Sequence, residues 1–216
     1  MPRLLFEKTG ASVWISHLDL MRVFQRAFRR AGLLLKHSQG FTPRAIVSIA
    51  LPLSVGVESQ CELLDYELES PAEVTPELLN AKLPAGVHVL EVLDTGRKIK
   101  ELTHLRACVT MEYDNGVPDL AVERIKQLFQ QESLILEKHS RKGKSETNIV
   151  PMICQMDVEQ RDEGTVILHA LVCAQNPSLN PQLLVTALQV YAPELTPDYA
   201  VVRRVEVYDS EGKVFR

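Results

Sequence analysis

Twice along this chain, short strand-like runs and amphipathic helical runs follow one another in nearly the same order. That order constrains the fold more than any single motif does. "RLLFEKTG" reads as a first strand. In "SHLDLMRVFQRAFRRAG", Ser16 is placed to cap a helix, with Asp19 three positions on as in a short capping box. Leu20, Phe24, Ala27, Phe28 and Ala31 recur at helical spacing and are expected to face a core, and Gly32 ends the run. "LLLKHS", "RAIVSIALPL" and "CELLDYELE" read as strands. "TPELLNAKLP" pairs Thr75 as cap with Pro76 at the first helical position, and "GVHVLEVLDT" returns as a strand.

The second half repeats the order. "HLRACVTMEYD" is a strand, and "VPDLAVERIKQLFQQ" is a helix with Pro118 near its start. "SLILEKHS" and "NIVPMICQMDVEQ" flank a basic turn, and "TVILHALVC" follows. "NPQLLVTALQVY" is a helix with Asn180 as cap and Pro181 at its first position, and "YAVVRRVEVYD" closes as a strand. Each half approximates a β-α-β-β-α-β unit. The expectation is therefore an α+β protein of two tandem ferredoxin-like domains, 1–98 and 104–216, joined through "TGRKIKELTH". The repeat is one of element order, since the two halves share no sequence pattern.

Charge is distributed unevenly. Residues 1–50 carry eight Lys/Arg against two Asp/Glu, or +6. Residues 51–101 carry four against ten, or −6, and residues 102–216 carry twelve against sixteen, or −4. A basic first segment in an acidic chain points to a localised anion-binding face. No apolar run approaches the roughly 18 residues of a membrane span, and "MPRLLFEKTG" meets charge too early for a signal peptide, so the cytoplasm is the expected compartment. The four cysteines, Cys61, Cys108, Cys154 and Cys173, are widely spaced and form no CxxC pair. They read as reduced core thiols, and neither metal nor cofactor is expected.

Arg22, Arg26, Arg29 and Arg30 fall on the helix side opposite the apolar set, with only Asp19 as an acidic neighbour. They form either a solvated face or a phosphate-contacting stripe. Lys36 and Arg44 extend the same charge. The segment "HSQGFTPRAIVSIALPLSVGVES" reads as a binding loop framed by two strands, or as a rigid connection. Gly40 and Gly56 allow its turns, Pro43 and Pro52 stiffen it, and Ser38, Gln39 and Thr42 offer hydrogen bonds. In the second half, Lys138, His139, Arg141, Lys142 and Lys144 surround Gly143 in a basic turn suited to phosphates. Aromatic residues are only 6% of the chain and no RNP-type aromatic pair is visible, which argues against base stacking on a sheet. His17, at a helix start, is the one candidate general base, against the plainer reading of a helix-start residue with no chemistry. Asp65, Glu67 and Glu69 lie on one side of a strand and are expected to form an exposed face. No Ser–His–Asp set, HExxH or Walker A motif is present.

Residues 8–68 resemble the start of the radical-SAM-linked protein family, a bacterial domain of unknown function found beside or fused to radical SAM proteins. The likeness lies in "SHLDLMRVFQRAFRRAG", "SQGF" followed by Pro43, and "ALPLSVGVES", and "EKHSRKGKSETNIVPMI" resembles the family's later basic turn. The chain departs from the family where Asn-Pro-His-Pro-Lys-like residues are usual: here stand Thr42, Pro43, Arg44, Ala45 and Ile46. The chain lacks CxxxCxxC, so it is not itself expected to be the radical enzyme. The tandem plan also resembles RAMP-type endonucleases that process CRISPR RNA, a likeness of fold alone. Taken together, these features suggest a non-catalytic RNA-binding accessory protein that presents tRNA or rRNA to a radical SAM partner. The alternatives are a protein-interaction subunit of such an enzyme without nucleic-acid contact, and a metal-independent ribonuclease using His17.

Overall fold

The protein, described by a computed structural model, is α+β. The structure describes residues 2–140 and 143–216, and the side chains of 138–145 lie outside the description. The chain divides into two compact units, Met1–Glu101 with Val214–Arg216, and Leu102–Lys213. These bounds stand beside the 1–98 and 104–216 expected from sequence.

In the first unit the elements run β1 (Pro2–Lys8), α1 (His17–Arg30), β2 (Val47–Ile49), β3 (Val57–Tyr66), α2 (Pro76–Asn80) and β4 (Val87–Asp94). The strands line up as β4-β1-β3-β2, every neighbouring pair antiparallel. The expected caps form. The Ser16 hydroxyl accepts from the Asp19 amide at 3.2 Å, and Thr75 accepts from Leu78 at 3.3 Å. Leu20, Phe24, Ala27 and Phe28 of α1 are fully buried, while Ala31 is half-buried as the C-cap. Phe24 meets Phe6 of β1 edge-on at 4.7 Å between ring centroids, and Phe28 meets Tyr66 of β3 at 4.8 Å. "LLLKHS" is not a strand. It makes only single bridges, Leu35 to Leu68 and His37 to Ala45, because the chain turns away at Ser38 before a ladder can extend.

The acidic face expected on β3 is also corrected. Asp65 is 7% exposed and stands directly across from Arg3 of β1. The Arg3 guanidinium donates to its two carboxylate oxygens at 2.6 and 3.0 Å, and to the Arg97 carbonyl at 3.0 Å. Alternation misses this because β3 is covered on both faces: its last six residues, Cys61 to Tyr66, are all buried. Residues 214–216 join this unit because Phe215, fully buried, lies under the guanidinium groups of Arg3 and Arg97, at 5.1 and 4.5 Å from its ring centroid.

The second unit runs β5 (Leu102–Glu112), α3 (Ala121–Phe129), β6 (Ile135–Ser140), β7 (Gly143–Asn148), β8 (Ile153–Asp162), β9 (Thr165–Cys173), α4 (Gln182–Tyr191) and β10 (Tyr199–Asp209). Its sheet is ordered β10-β5-β9-β8, again antiparallel throughout. β6 and β7 pair with each other, as a hairpin inserted after α3. The hairpin base is held by the Tyr191 hydroxyl of α4, which accepts from the Ile135 amide at 2.8 Å and donates to the Ile135 carbonyl at 2.7 Å. Asn180 acts as expected, accepting from the Gln182 amide at 3.2 Å, although Pro181 takes the cap position itself.

Candidate functional site

The side of α1 away from the core carries the arginine row, and the structure sorts it by partner. Arg22 is exposed and ion-paired to Asp19 at 2.7 Å within the same helix. The Asp19 carboxyl is held below its ordinary value by the Ser16 hydroxyl first and Arg22 second. Arg30 donates to the Lys82 carbonyl. Lys36 pairs with Glu67 at 3.0 Å. By contrast, the side chains of Arg26, Arg29 and Arg44 make no hydrogen bond or ion pair with the described residues.

Arg26 and Arg29 line an open recess of about 440 Å³ with Gln25, Leu33, Leu35 and His37, with Glu69 on its wall. The recess is bounded by the neck of the 37–45 loop. His37 and Ala45 pair across that neck. The Ser38 amide donates to the Arg44 carbonyl at 2.8 Å, and the Arg44 amide donates to the Ser38 hydroxyl at 3.1 Å. Ser38 therefore closes the loop, its hydroxyl oxygen accepting from the Arg44 amide while its exposed O–H remains a donor. Between the closing residues, Gln39, Gly40, Phe41, Thr42 and Pro43 are all exposed. Gly40 takes φ +134°, which L side chains rarely adopt. Phe41, at the tip, is fully exposed. At the far end of the same segment, Gly56 takes φ +80° and its amide donates to the Val13 carbonyl at 2.9 Å.

The structure thus brings Arg26 and Arg29 together with His37 at the recess. It leaves Arg22, Arg30, Lys36, Ser38, Gln39, Gly40 and Arg44 off the recess lining. His17 is half-buried at the first position of α1 and is not among the lining residues. In the other unit, Arg141 and Lys142 lie outside the described residues. Lys138 and Lys144 fall in β6 and β7 by backbone, with side chains outside the description.

Sequence reasoning misses His37 and Phe41. His37 carries no periodic signal and is placed by a single bridge to Ala45. Phe41 does leave a signal, as the lone large apolar residue in a Gly/Pro turn, a position no core can reach. The low aromatic content of the whole chain masks it.

The cysteines do not form one class. Cys61 is buried, Cys108 and Cys173 are half-buried, and Cys154 is exposed. Cys154 corrects the core reading: it lies where β8 bulges between Ile153 and Gln155, and β8 is the last strand of its sheet order. Burial, followed by the nearby Cys173, pushes the Cys154 thiol up to about 11.

Comparison with known proteins bears on family and fold. The model of the family described as "Uncharacterized protein conserved in bacteria (DUF2344)" matches residues 2–181. No curated protein matches the sequence. Among solved structures, a chain of the "Crystal Structure of a Cbf5-Nop10-Gar1 Complex" is similar at TM-score 0.55 and 9% identity, covering 95% of this chain and 48% of that one. A chain of the "Structure of H/ACA RNP bound to a substrate RNA containing 2'-deoxyuridine" is similar at TM-score 0.50 and 10% identity, covering 98% and 48%. The protein spans about half the length of these solved chains, and at such identity the likeness is one of fold. Among the described residues, no helix is long and apolar enough to cross a membrane.

Proposed function

The chain belongs to this family of uncharacterized bacterial proteins, and from that premise we propose that it is an RNA-binding accessory protein, without catalysis of its own. In this reading each unit is ferredoxin-like, which the β4-β1-β3-β2 and β10-β5-β9-β8 strand orders support. The observation that carries the proposal is the pair Arg26 and Arg29. Neither is hydrogen-bonded or ion-paired to a described residue, and both line one recess beside a loop that projects Phe41. Guanidinium groups whose donors are unused by the protein are suited to bidentate capture of phosphate oxygens. The loop whose neck bounds the recess also exposes the Phe41 ring, which offers a stacking face for an unpaired base, worth about 1–3 kcal/mol per base. The RNA in one of the solved complexes of similar fold suggests structured RNA, tRNA or rRNA, as the first probe. The resemblance of residues 8–68 to radical-SAM-linked proteins suggests that the RNA is presented to a radical SAM enzyme.

The test is binding of the purified chain to total cellular RNA across a salt series, with wild type beside Arg26→Glu/Arg29→Glu. The proposal expects an affinity that falls with salt. It also expects a shallower salt slope in the variant, by roughly 0.7 for each single-strand phosphate that is no longer neutralised. Folded wild-type protein that binds no RNA at low salt would overturn it, and the recess would then be a protein-docking surface.

A further inference from the structure

We propose that the second unit holds a zinc ion on Cys154, Cys173 and His104, a site independent of the RNA-binding reading. The three residues come from adjacent strands. His104 of β5 is the direct cross-strand partner of Cys173 of β9, and Cys154 sits in the β8 bulge beside β9. Their ligand atoms lie within 4.8 Å of one another, and the two sulfurs are 3.9 Å apart. Tetrahedral zinc, with Zn–S near 2.3 Å and Zn–N near 2.0–2.1 Å, needs two sulfurs about 3.8 Å apart and a sulfur and nitrogen about 3.6 Å apart. The sulfurs already stand at the required separation. A disulfide would require them to close to about 2.05 Å.

The surroundings also suit a metal. A bound histidine usually engages its second ring nitrogen with a neighbour, which fixes the tautomer. Here His104 Nδ1 lies 2.9 Å from the Thr103 hydroxyl, which itself donates to the Tyr208 carbonyl at 3.5 Å. In the proposed site the proton sits on Nδ1, where it donates to the Thr103 hydroxyl, and Nε2 ligates the metal. Two thiolates and one imidazole form a donor set that favours zinc over magnesium or calcium. The exposure of Cys154 leaves an entry path and a fourth position open to water. Binding converts both thiols to thiolates and releases two protons to solvent, so affinity rises with pH.

The test uses the full chain, reduced and stripped of metal, titrated with Co²⁺ and then with Zn²⁺. The expected result is one Co²⁺ per chain with a thiolate-to-cobalt charge-transfer band, displaced by one equivalent of Zn²⁺. Cys154→Ser removes about half of the band and weakens binding at least tenfold. His104→Ala weakens binding while keeping both thiolate contributions, and Cys61→Ser in the other unit changes nothing. Circular dichroism on each variant separates lost ligation from lost fold. The proposal is overturned if the folded, reduced chain gives no thiolate band, or if Cys154→Ser leaves the band intact. It is also overturned if the two cysteines oxidise to a disulfide while the reduced pair shows no metal affinity.

Discussion

α1 and α3 occupy the same place in the element order of their units, between the first strand and the segment that leads to the second. They treat positive charge in opposite ways. On α3, Arg124 is ion-paired to Glu194, and Lys126 to Asp157 at 3.1 Å. On α1, Arg22 and Arg30 are engaged, but Arg26 and Arg29 make no hydrogen bond or ion pair with a described residue. Arg3, a third case within the first unit, is 1% exposed and held by Asp65, the Arg97 carbonyl and the Phe215 ring. Partners, more than the number of cations, separate a structural arginine from one available to a ligand.

The widest gap the comparison predicts is in stability. Asp65→Ala strands the buried Arg3 charge and is expected to cost about 3–5 kcal/mol in denaturant unfolding. A loss below about 1 kcal/mol would mean that Arg3 finds water or another acceptor. Next comes ligand binding. Arg26→Glu/Arg29→Glu is expected to weaken RNA affinity by at least tenfold at low salt, each reversal replacing an attraction with a repulsion, while leaving the unfolding midpoint unchanged. The same double reversal on α3, Arg124→Glu/Lys126→Glu, is expected to disturb stability more than RNA affinity. If the two helices gave equal losses of affinity, the contrast between them would collapse.

Phe41→Ala sharpens the same contrast within the loop, with an expected loss of about 1–3 kcal/mol in binding single-stranded RNA and no change in folding. Phe41→Tyr should restore affinity, since it keeps the ring. Smaller still is Arg124→Ala, expected to change stability by no more than about 1 kcal/mol because its ion pair is solvent-exposed. The mildest effect concerns pH. Lys126 first, with the Val158 amide, holds the Asp157 carboxyl below its ordinary value of 3.8. Its contribution is therefore present above about pH 4 and is lost as acidification protonates it. Asp157→Asn should remove that acid-side loss and leave stability at neutral pH slightly lower.

Much of the architecture is legible in the sequence because it is written in local signals. Ser16, Thr75 and the apolar spacing of Leu20, Phe24 and Phe28 announce their helices without help from distant residues. Non-local effects are not legible. "LLLKHS" has strand composition, yet it makes single bridges because the loop closure at Ser38 and Arg44 prevents a ladder. Asp65 looks like surface until Arg3, 62 residues away in sequence, is found opposite it. The arginine row of α1 is visible, but spacing alone does not report that Arg30 reaches the Lys82 carbonyl, 52 residues on, while Arg26 and Arg29 make no hydrogen bond or ion pair with a described residue. The thiols of Cys154 and Cys173, 19 residues apart, meet only because a bulge in β8 shifts the register.

The placement of Phe215 has a consequence for synthesis. Domains generally fold in the order in which they leave the ribosome. A nascent chain that has emerged through Glu101 holds every strand and helix of the first unit, but not the ring that lies beneath Arg3 and Arg97. The cell must translate the whole of the second unit before the first can be completed. Of the two units, the one that leaves the ribosome earlier is completed later.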